Sequence, residues 1–195
     1  MNFSSSHNMY FVAIVCPPET DKNVLQFKNW MNEQFGCVVA LKSPAHITLI
    51  PPFWLDEDKE KKLQETLQNF TSVVNELEIQ LDGFSKFGKR VLFIRVLENP
   101  DLNKIKNETE YHFANSFGDV IEKDDRAFHP HITIANRDLK PGDLEKAWEK
   151  FEKKVFKESF RSKTISLLKL IAGKWKVIAE KDVNVQMLPA SIKTK

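Results

Sequence analysis

Cysteine is scarce: Cys16 and Cys37 are the only two thiols in 195 residues. Two cysteines cannot build the disulfide framework by which small secreted domains make up for a thin core. Both lie in apolar runs, so reduced, buried thiols are expected. Long hydrophobic runs are also missing. The longest near the start, Tyr10 to Cys16, has neither a basic leader nor a cleavage site. It is far short of the roughly 20 apolar residues that span a bilayer. A charge excess of one sign is absent too: 29 Lys and Arg face 27 Asp and Glu, for a net charge of +2. The chain lacks the field of a nucleic-acid coat, and an anionic ligand must be held by local groups. What remains is a cytoplasmic protein with no membrane and no obligate protein partner implied, long enough for one core or for two small lobes sharing one.

Periodicity places the elements. Met9 to Val15 reads as a strand ending at Pro17-Pro18, and Thr20 as the cap of a helix whose apolar stripe runs through Val24, Leu25, Phe27, Trp30 and Met31. Cys37 to Leu41 and His46 to Ile50 read as short strands, the second stopped by Pro51-Pro52. From Asp56 a helix carries Leu63, Leu67 and Phe70 on one face. Glu76 to Leu81 and Arg90 to Leu97 alternate as strands joined by residues 82–89. Asn99 to about Phe117 is helical, with Pro100 in the first turn. Asp124 to Phe128 leads into a strand from His131 to Ala135. Asp143 caps a helix through Leu144, Trp148, Phe151 and Val155. Phe156 to Phe160, Thr164 to Ile171 and Trp175 to Ala179 are strands, and Pro189 to Lys195 reads as a disordered tail beyond a domain spanning 1–188.

Taken in order, these elements repeat. His46-Ile47-Thr48-Leu49 is followed by a proline turn, a charged helix and strands, and so is His131-Ile132-Thr133-Ile134. Residues two apart in a strand share a face, so each tetrapeptide buries its branched residues and turns a His/Thr pair the other way. If both pairs face one groove, it holds two imidazoles and two hydroxyls. Such a set suits phosphodiester cleavage: a neutral imidazole takes a proton from the attacking water while an imidazolium protonates the departing oxygen. The threonine hydroxyls donate to the non-bridging oxygens. The scheme requires no metal and no cofactor.

These two tetrapeptides resemble the paired HxTx motifs of the two-histidine phosphoesterase superfamily, and the surrounding chain is similar to its 2′-5′ RNA ligase-like branch. The likeness extends to Phe11-Val12-Ala13-Ile14, to Pro51-Pro52-Phe53 after the first motif and to Phe128-His129-Pro130 before the second, up to about residue 180. It implies an α+β bilobal fold of pseudo-twofold symmetry, with two antiparallel sheets facing a central groove and helices outside. It also implies activity on 2′,3′-cyclic phosphates or 2′-5′ linkages of an RNA end or small nucleotide. By position, His46 and His131 would be the catalytic pair, and Thr48 and Thr133 the phosphate ligands. A module of the same fold that binds RNA or nucleotide without turnover is the alternative.

Other residues are softer candidates. His129 and His131 make a His-x-His pair, a possible metal signature, but Pro130 separates them and no acidic or cysteine ligand accompanies them; no metal is assigned. Arg137 and Arg126 flank the second motif and could grip phosphate through a planar fork. Phe53, Phe84 and Phe87 are candidates for stacking on a base, and Lys86, Lys89 and Arg90 make a basic patch around Phe87. Arg137, Phe87 and Phe53 are the substrate-binding candidates retained. His112 reads as a surface or interface residue and His7 as solvent-exposed.

Overall fold

The computed structural model describes residues 6–122 and 126–183. The tail expected from Pro189, and the Asp124 start of the approach to the second motif, lie outside the described residues. The strands are β1 (His7–Val15), β2 (His46–Asp56), β3 (Leu77–Phe87), β4 (Val91–Val96), β5 (His131–Ala135), β6 (Lys157–Ser162), β7 (Thr164–Ile171) and β8 (Lys174–Asp182). The helices are α1 (Pro18–Phe35), α2 (Glu60–Gln68), α3 (Pro100–Phe117) and α4 (Pro141–Phe151). Two four-stranded antiparallel sheets result, in the orders β2-β1-β7-β8 and β5-β4-β3-β6. The repeat seen in the sequence thus becomes a pair of sheets in which each motif strand occupies the edge.

The two edge strands meet. Cα atoms of β2 and β5 come within 8 Å of one another, so the sheets border a shared cleft along the motifs. Helices tie the lobes together crosswise. The helix α1 leaves β1 of the first sheet yet packs against β5 of the second, where Phe27 meets Phe84, Phe151 and Phe156 edge-on at 5.1, 6.0 and 5.2 Å. Likewise α3 leaves β4 and packs against β2 and α2. The core runs continuously from Tyr10, Val12 and Ile14 through Ile47 and Leu49 to Ile132 and Ile134. Full burial of each such side chain contributes about 1.5–3 kcal/mol.

Several boundaries differ from the sequence expectation, each for a local reason. Pro51 and Pro52 do not stop β2, which runs on to Asp56. It is an edge strand, and the pairing with β1 shifts register between Tyr10/Phe53 and Val12/Ile50, so the prolines sit exposed in an irregularity where no ladder donor is needed. Cys37 to Leu41 is not a strand: the Val38 and Val39 amides donate to the Asp138 carboxylate at 2.6 and 2.8 Å, and Ala40–Lys42 turns as a 3-10 helix. Thr20 is buried in the first turn of α1, which begins at Pro18. Asp143 lies within the first turn of α4, which begins at Pro141 after Lys140; proline's preset φ opens both helices. Residues 82–87 continue β3 through a bulge at Gly83, whose φ is +67°. Among the described residues no helix is long and apolar enough to cross a membrane.

Candidate active site

Alternation puts the motif side chains where the cleft is. In β2, Ile47 and Leu49 are buried while His46 and Thr48 are half-buried; in β5, Ile132 and Ile134 are buried while His131 and Thr133 are half-buried. A hollow of about 150 Å³ is lined by His46, Thr48, Thr133 and Arg137, with Phe11 and Trp175 as its aromatic wall. A second hollow, of about 450 Å³, is lined by His131, Thr48, Phe87, Lys106, Arg126 and His129, among others. Thr48 borders both, so the two hollows meet at the motif strands.

The imidazoles are held alike. His46 Nδ1 lies 2.8 Å from the Pro44 carbonyl oxygen, and His131 Nδ1 lies 2.7 Å from that of His129, in each case two residues earlier. A carbonyl only accepts, so Nδ1 carries the hydrogen and donates. In the neutral ring Nε2 is then a bare acceptor, and in the charged ring it is a donor. Both histidines therefore keep the same nitrogen for chemistry. Aromatic rings pack against both: Phe11 lies tilted 4.8 Å from His46, and His131 has Phe87 edge-on and Phe93 tilted, each at 5.0 Å.

Electrostatics favour the neutral rings. Burial brings the His46 pKa down to about 4; the Pro44 hydrogen bond opposes this, the charges of Lys28 and His131 add to it, and Asp21 partly offsets them. Burial likewise lowers His131, opposed by the His129 carbonyl and reinforced by the His129 ring.

Three consecutive residues before His46 are clamped. Lys28 Nζ donates to the Ser43 carbonyl at 3.0 Å, His46 to the Pro44 carbonyl, and the Ala45 amide to Asp21 Oδ1 at 2.6 Å. The Ala45 carbonyl in turn accepts from the Cys16 amide at 2.9 Å. Lys28 is only 2 % exposed. Sequence reasoning passed over it, although it stands four residues after Val24 and three before Met31, inside the apolar stripe of α1. Lys106 went unnoticed in the same way: it is buried on α3, ion-paired with Glu110 at 2.8 Å, and lines the His131 hollow. Phe11 and Trp175, 4.6 Å apart edge-on, were not singled out either, since nothing local distinguishes them from core aromatics.

The candidates from sequence divide clearly. His46, His131, Thr48, Thr133, Arg137 and Phe87 are brought to the cleft, and Arg126 and His129 line it. Phe53 stands beside the cleft: it is 7 % exposed, packs against Tyr10 and borders a hollow with Asp119 and Ile121 that shares Pro51 and Arg126 with the His131 hollow. Phe84 is core, between Phe27, Phe151 and Phe156. Lys86 of the basic patch is paired with Glu145 at 2.9 Å. His112 fastens α3 to α2 through the Thr66 carbonyl at 2.8 Å. His7 is exposed and lies 2.9 Å from Asp56. Cys16 and Cys37 are free, buried thiols. Among the described residues no three His, Cys, Asp or Glu side chains cluster as a metal site.

Two sheets with a histidine on each facing edge strand define the architecture of a two-histidine phosphoesterase. Residues 17–174 match the model of the 2′-5′ RNA ligase superfamily, and the chain belongs to that family. A protein named as a phosphoesterase in Geobacillus kaustophilus is 29% identical over 136 residues, covering 69% of this chain and 72% of its own. The RNA 2′,3′-cyclic phosphodiesterase of Bacillus subtilis is 27% identical over 141 residues, covering 66% and 70%. The fold is shared with E. coli LigT in complex with 3′-AMP, at a TM-score of 0.64, 18% identity and coverage of 92% and 100%. It is shared too with TT0787 of Thermus thermophilus, at a TM-score of 0.64, 16% identity and coverage of 91% and 99%.

Proposed function

We propose that this phosphoesterase is a cytoplasmic enzyme that hydrolyses an RNA-type phosphodiester, either a 2′,3′-cyclic phosphate or a 2′-5′ linkage, with His46 and His131 as its acid/base pair. The observation that carries the reading is the matched tethering of the two rings, each with Nδ1 on a carbonyl and Nε2 left over, on neighbouring edge strands. One Nε2 takes the proton of a water as its oxygen forms a bond to phosphorus. The other, protonated, gives its proton to the ribose oxygen as the P–O bond breaks, and a phosphomonoester is left. The two roles exchange when the direction reverses. Thr48 and Thr133 donate to the non-bridging oxygens and Arg137 adds charge at the rim. The B. subtilis relative, named for RNA 2′,3′-cyclic phosphates, and the 3′-AMP complex of LigT support a nucleotide substrate.

The pKa values favour neutral rings in the empty cleft, whereas the reaction needs one proton on the pair. The anionic phosphate supplies the difference, since a negative charge between two imidazoles favours the charged form of each. The test is turnover of a panel of 2′,3′-cyclic nucleotides and 2′-5′ dinucleotides in EDTA. Activity is expected to persist in the chelator and to fall about 10²–10⁴-fold in His46→Ala and in His131→Ala. Ligand binding without product, unchanged in both variants, would instead identify a binding module.

A further inference from the structure

Arg95 stands opposite His131 in the β4–β5 ladder, so the two side chains leave the sheet on the same face. The arginine then turns away from β5. Its Nε donates to the Asp82 carbonyl on β3 at 2.7 Å, and the guanidinium passes over the Gly83 bulge. A Cβ at that glycine would stand 3.3 Å from the arginine's Nη2, so the bare backbone leaves the side chain its path. The guanidinium lies two strands from β5, roughly 10 Å at the usual strand spacing. It is too far to touch a phosphate held between the histidines.

With Nε committed, the two terminal amino groups keep their donors, and among the described residues no carboxylate pairs with them. The residue is exposed. It faces a hollow of about 530 Å³ that Ser85, Phe93, Asn103 and the exposed carboxylate Glu98 also line. That hollow shares Phe87, Phe128, His129 and Pro130 with the one bearing His131, so a ligand can run from one to the other without leaving the wall. Phe87, at the junction, stacks on Phe93 at 4.1 Å and is 37% exposed.

We propose that the Arg95 hollow seats the nucleotide next to the reacting one, with Arg95 gripping the phosphate one linkage to the 5′ side, so that the preferred substrate is an RNA oligonucleotide end rather than a mononucleotide. The proposal rests on the phosphodiesterase reading above. A planar fork anchored through Nε presents its remaining donors in fixed geometry, which suits a phosphodiester's two free oxygens. Phe87 offers its exposed edge and face to the adjoining base.

The experiment compares kcat/KM on a 2′,3′-cyclic mononucleotide and on a trinucleotide ending in a 2′,3′-cyclic phosphate, in the wild type, Arg95→Gln and Arg95→Lys. The wild type should prefer the trinucleotide. Arg95→Gln should lose about tenfold or more on the trinucleotide beyond any loss on the mononucleotide, and Arg95→Lys should recover part of it. The salt slope on the trinucleotide should become shallower by about 0.7 in Arg95→Gln. Equal treatment of both substrates by the wild type, or equal losses on both in the variant, overturns the proposal. If the wild type turns over neither substrate, the phosphodiesterase reading fails by itself. Fluorescence anisotropy with a labelled 3′-phosphorylated trinucleotide then decides on Arg95: weaker binding by Arg95→Gln supports the subsite, and equal Kd values overturn it. Unfolding midpoints of the variants separate a folding defect from a lost contact.

Discussion

Lys28 Nζ lies 3.0 Å from the carbonyl oxygen of Ser43, three residues ahead of His46. Together with Asp21 on the amide of Ala45, it makes α1 the clamp of the backbone from which the His46 strand starts. The ammonium also sits close enough to disfavour a proton on His46. Burial lowers Lys28 itself to about 8, with Asp21 and Cys16 acting the other way, so it still carries most of its charge near pH 7.

Replacing it removes clamp and charge together in Lys28→Met and keeps both in Lys28→Arg. In Lys28→Met the ammonium is gone, and the His46 pKa should rise from about 4; NMR titration of the His46 ring reads this directly. The Ser43 carbonyl loses its partner, at a cost of about 1–3 kcal/mol if it stays dry. Lys28→Arg should leave the His46 titration low. A His46 titration curve identical in Lys28→Met and the wild type would remove Lys28 from any role in setting the ring's protonation.

The contrast between Lys28 and His46 also tells what the sequence could convey. His46 and His131 were legible because alternation over four residues fixes which side chains share a face, and because the tetrapeptide occurs twice. Thr164–Ile171 and the helix from Pro100 to Phe117 were legible for the same reason, as local periodic patterns. Lys28 and Lys106 left a fainter trace, a lysine inside an apolar stripe, which looks like ordinary helix composition until the neighbouring element is known. Arg95 left none: its meaning comes from pairing with β5 and from a bulge at Gly83 on a third strand. Edge position misled in the other direction, since Pro51-Pro52 would end a central strand but is tolerated at the border of a sheet.

Acid should weaken the fold through His46. An unfolded chain binds a proton on this histidine below about pH 6.5, whereas the folded protein resists it down to about 4. Between these values the unfolded state holds more protons, so stability falls as the pH drops, by up to about 3 kcal/mol, and this contribution levels off below pH 4. Urea unfolding of the wild type and His46→Gln at pH 7, 5.5 and 4 isolates it as a difference between the two proteins. Parallel pH dependence in both would show that the ring titrates normally in the folded state.

Ligand binding should take up protons. Both rings have lowered pKa values in the empty cleft, and a phosphate anion between them shifts each back up. Affinity for inorganic phosphate or 3′-AMP should therefore increase as the pH is lowered toward 5. Calorimetry in buffers of different ionisation enthalpy should reveal net proton uptake, and the uptake should shrink in His46→Gln and in His131→Gln. The ligand phosphate titrates in the same range, so the difference between proteins is decisive: proton exchange identical in the wild type and both variants would mean that the anion does not sit between the rings.

Phe84 and Phe87 are three residues apart on one strand, and opposite phenotypes are expected of them. Phe84 is 6 % exposed and wedged between Phe27 and Phe151, where α1 of one half crosses beneath the sheet of the other. Truncating it opens a cavity at that crossing, so Phe84→Ala should cost about 3–5 kcal/mol of stability. Because α1 also carries Asp21 and Lys28, loosening the crossing should disturb the His46 loop as well. Phe87 is 37% exposed, with one face on Phe93 and its ring edge-on to His131. Phe87→Ala removes less buried area than Phe84→Ala and leaves no closed cavity, so it should cost about 1–2 kcal/mol, less than Phe84→Ala. Its loss should appear in KM for nucleotide ligands, by the roughly 1–3 kcal/mol that stacking on a base is worth. Unfolding midpoints and kcat and KM for the pair test the division, which fails if Phe87→Ala proves the less stable of the two, or if its KM stays at the wild-type value.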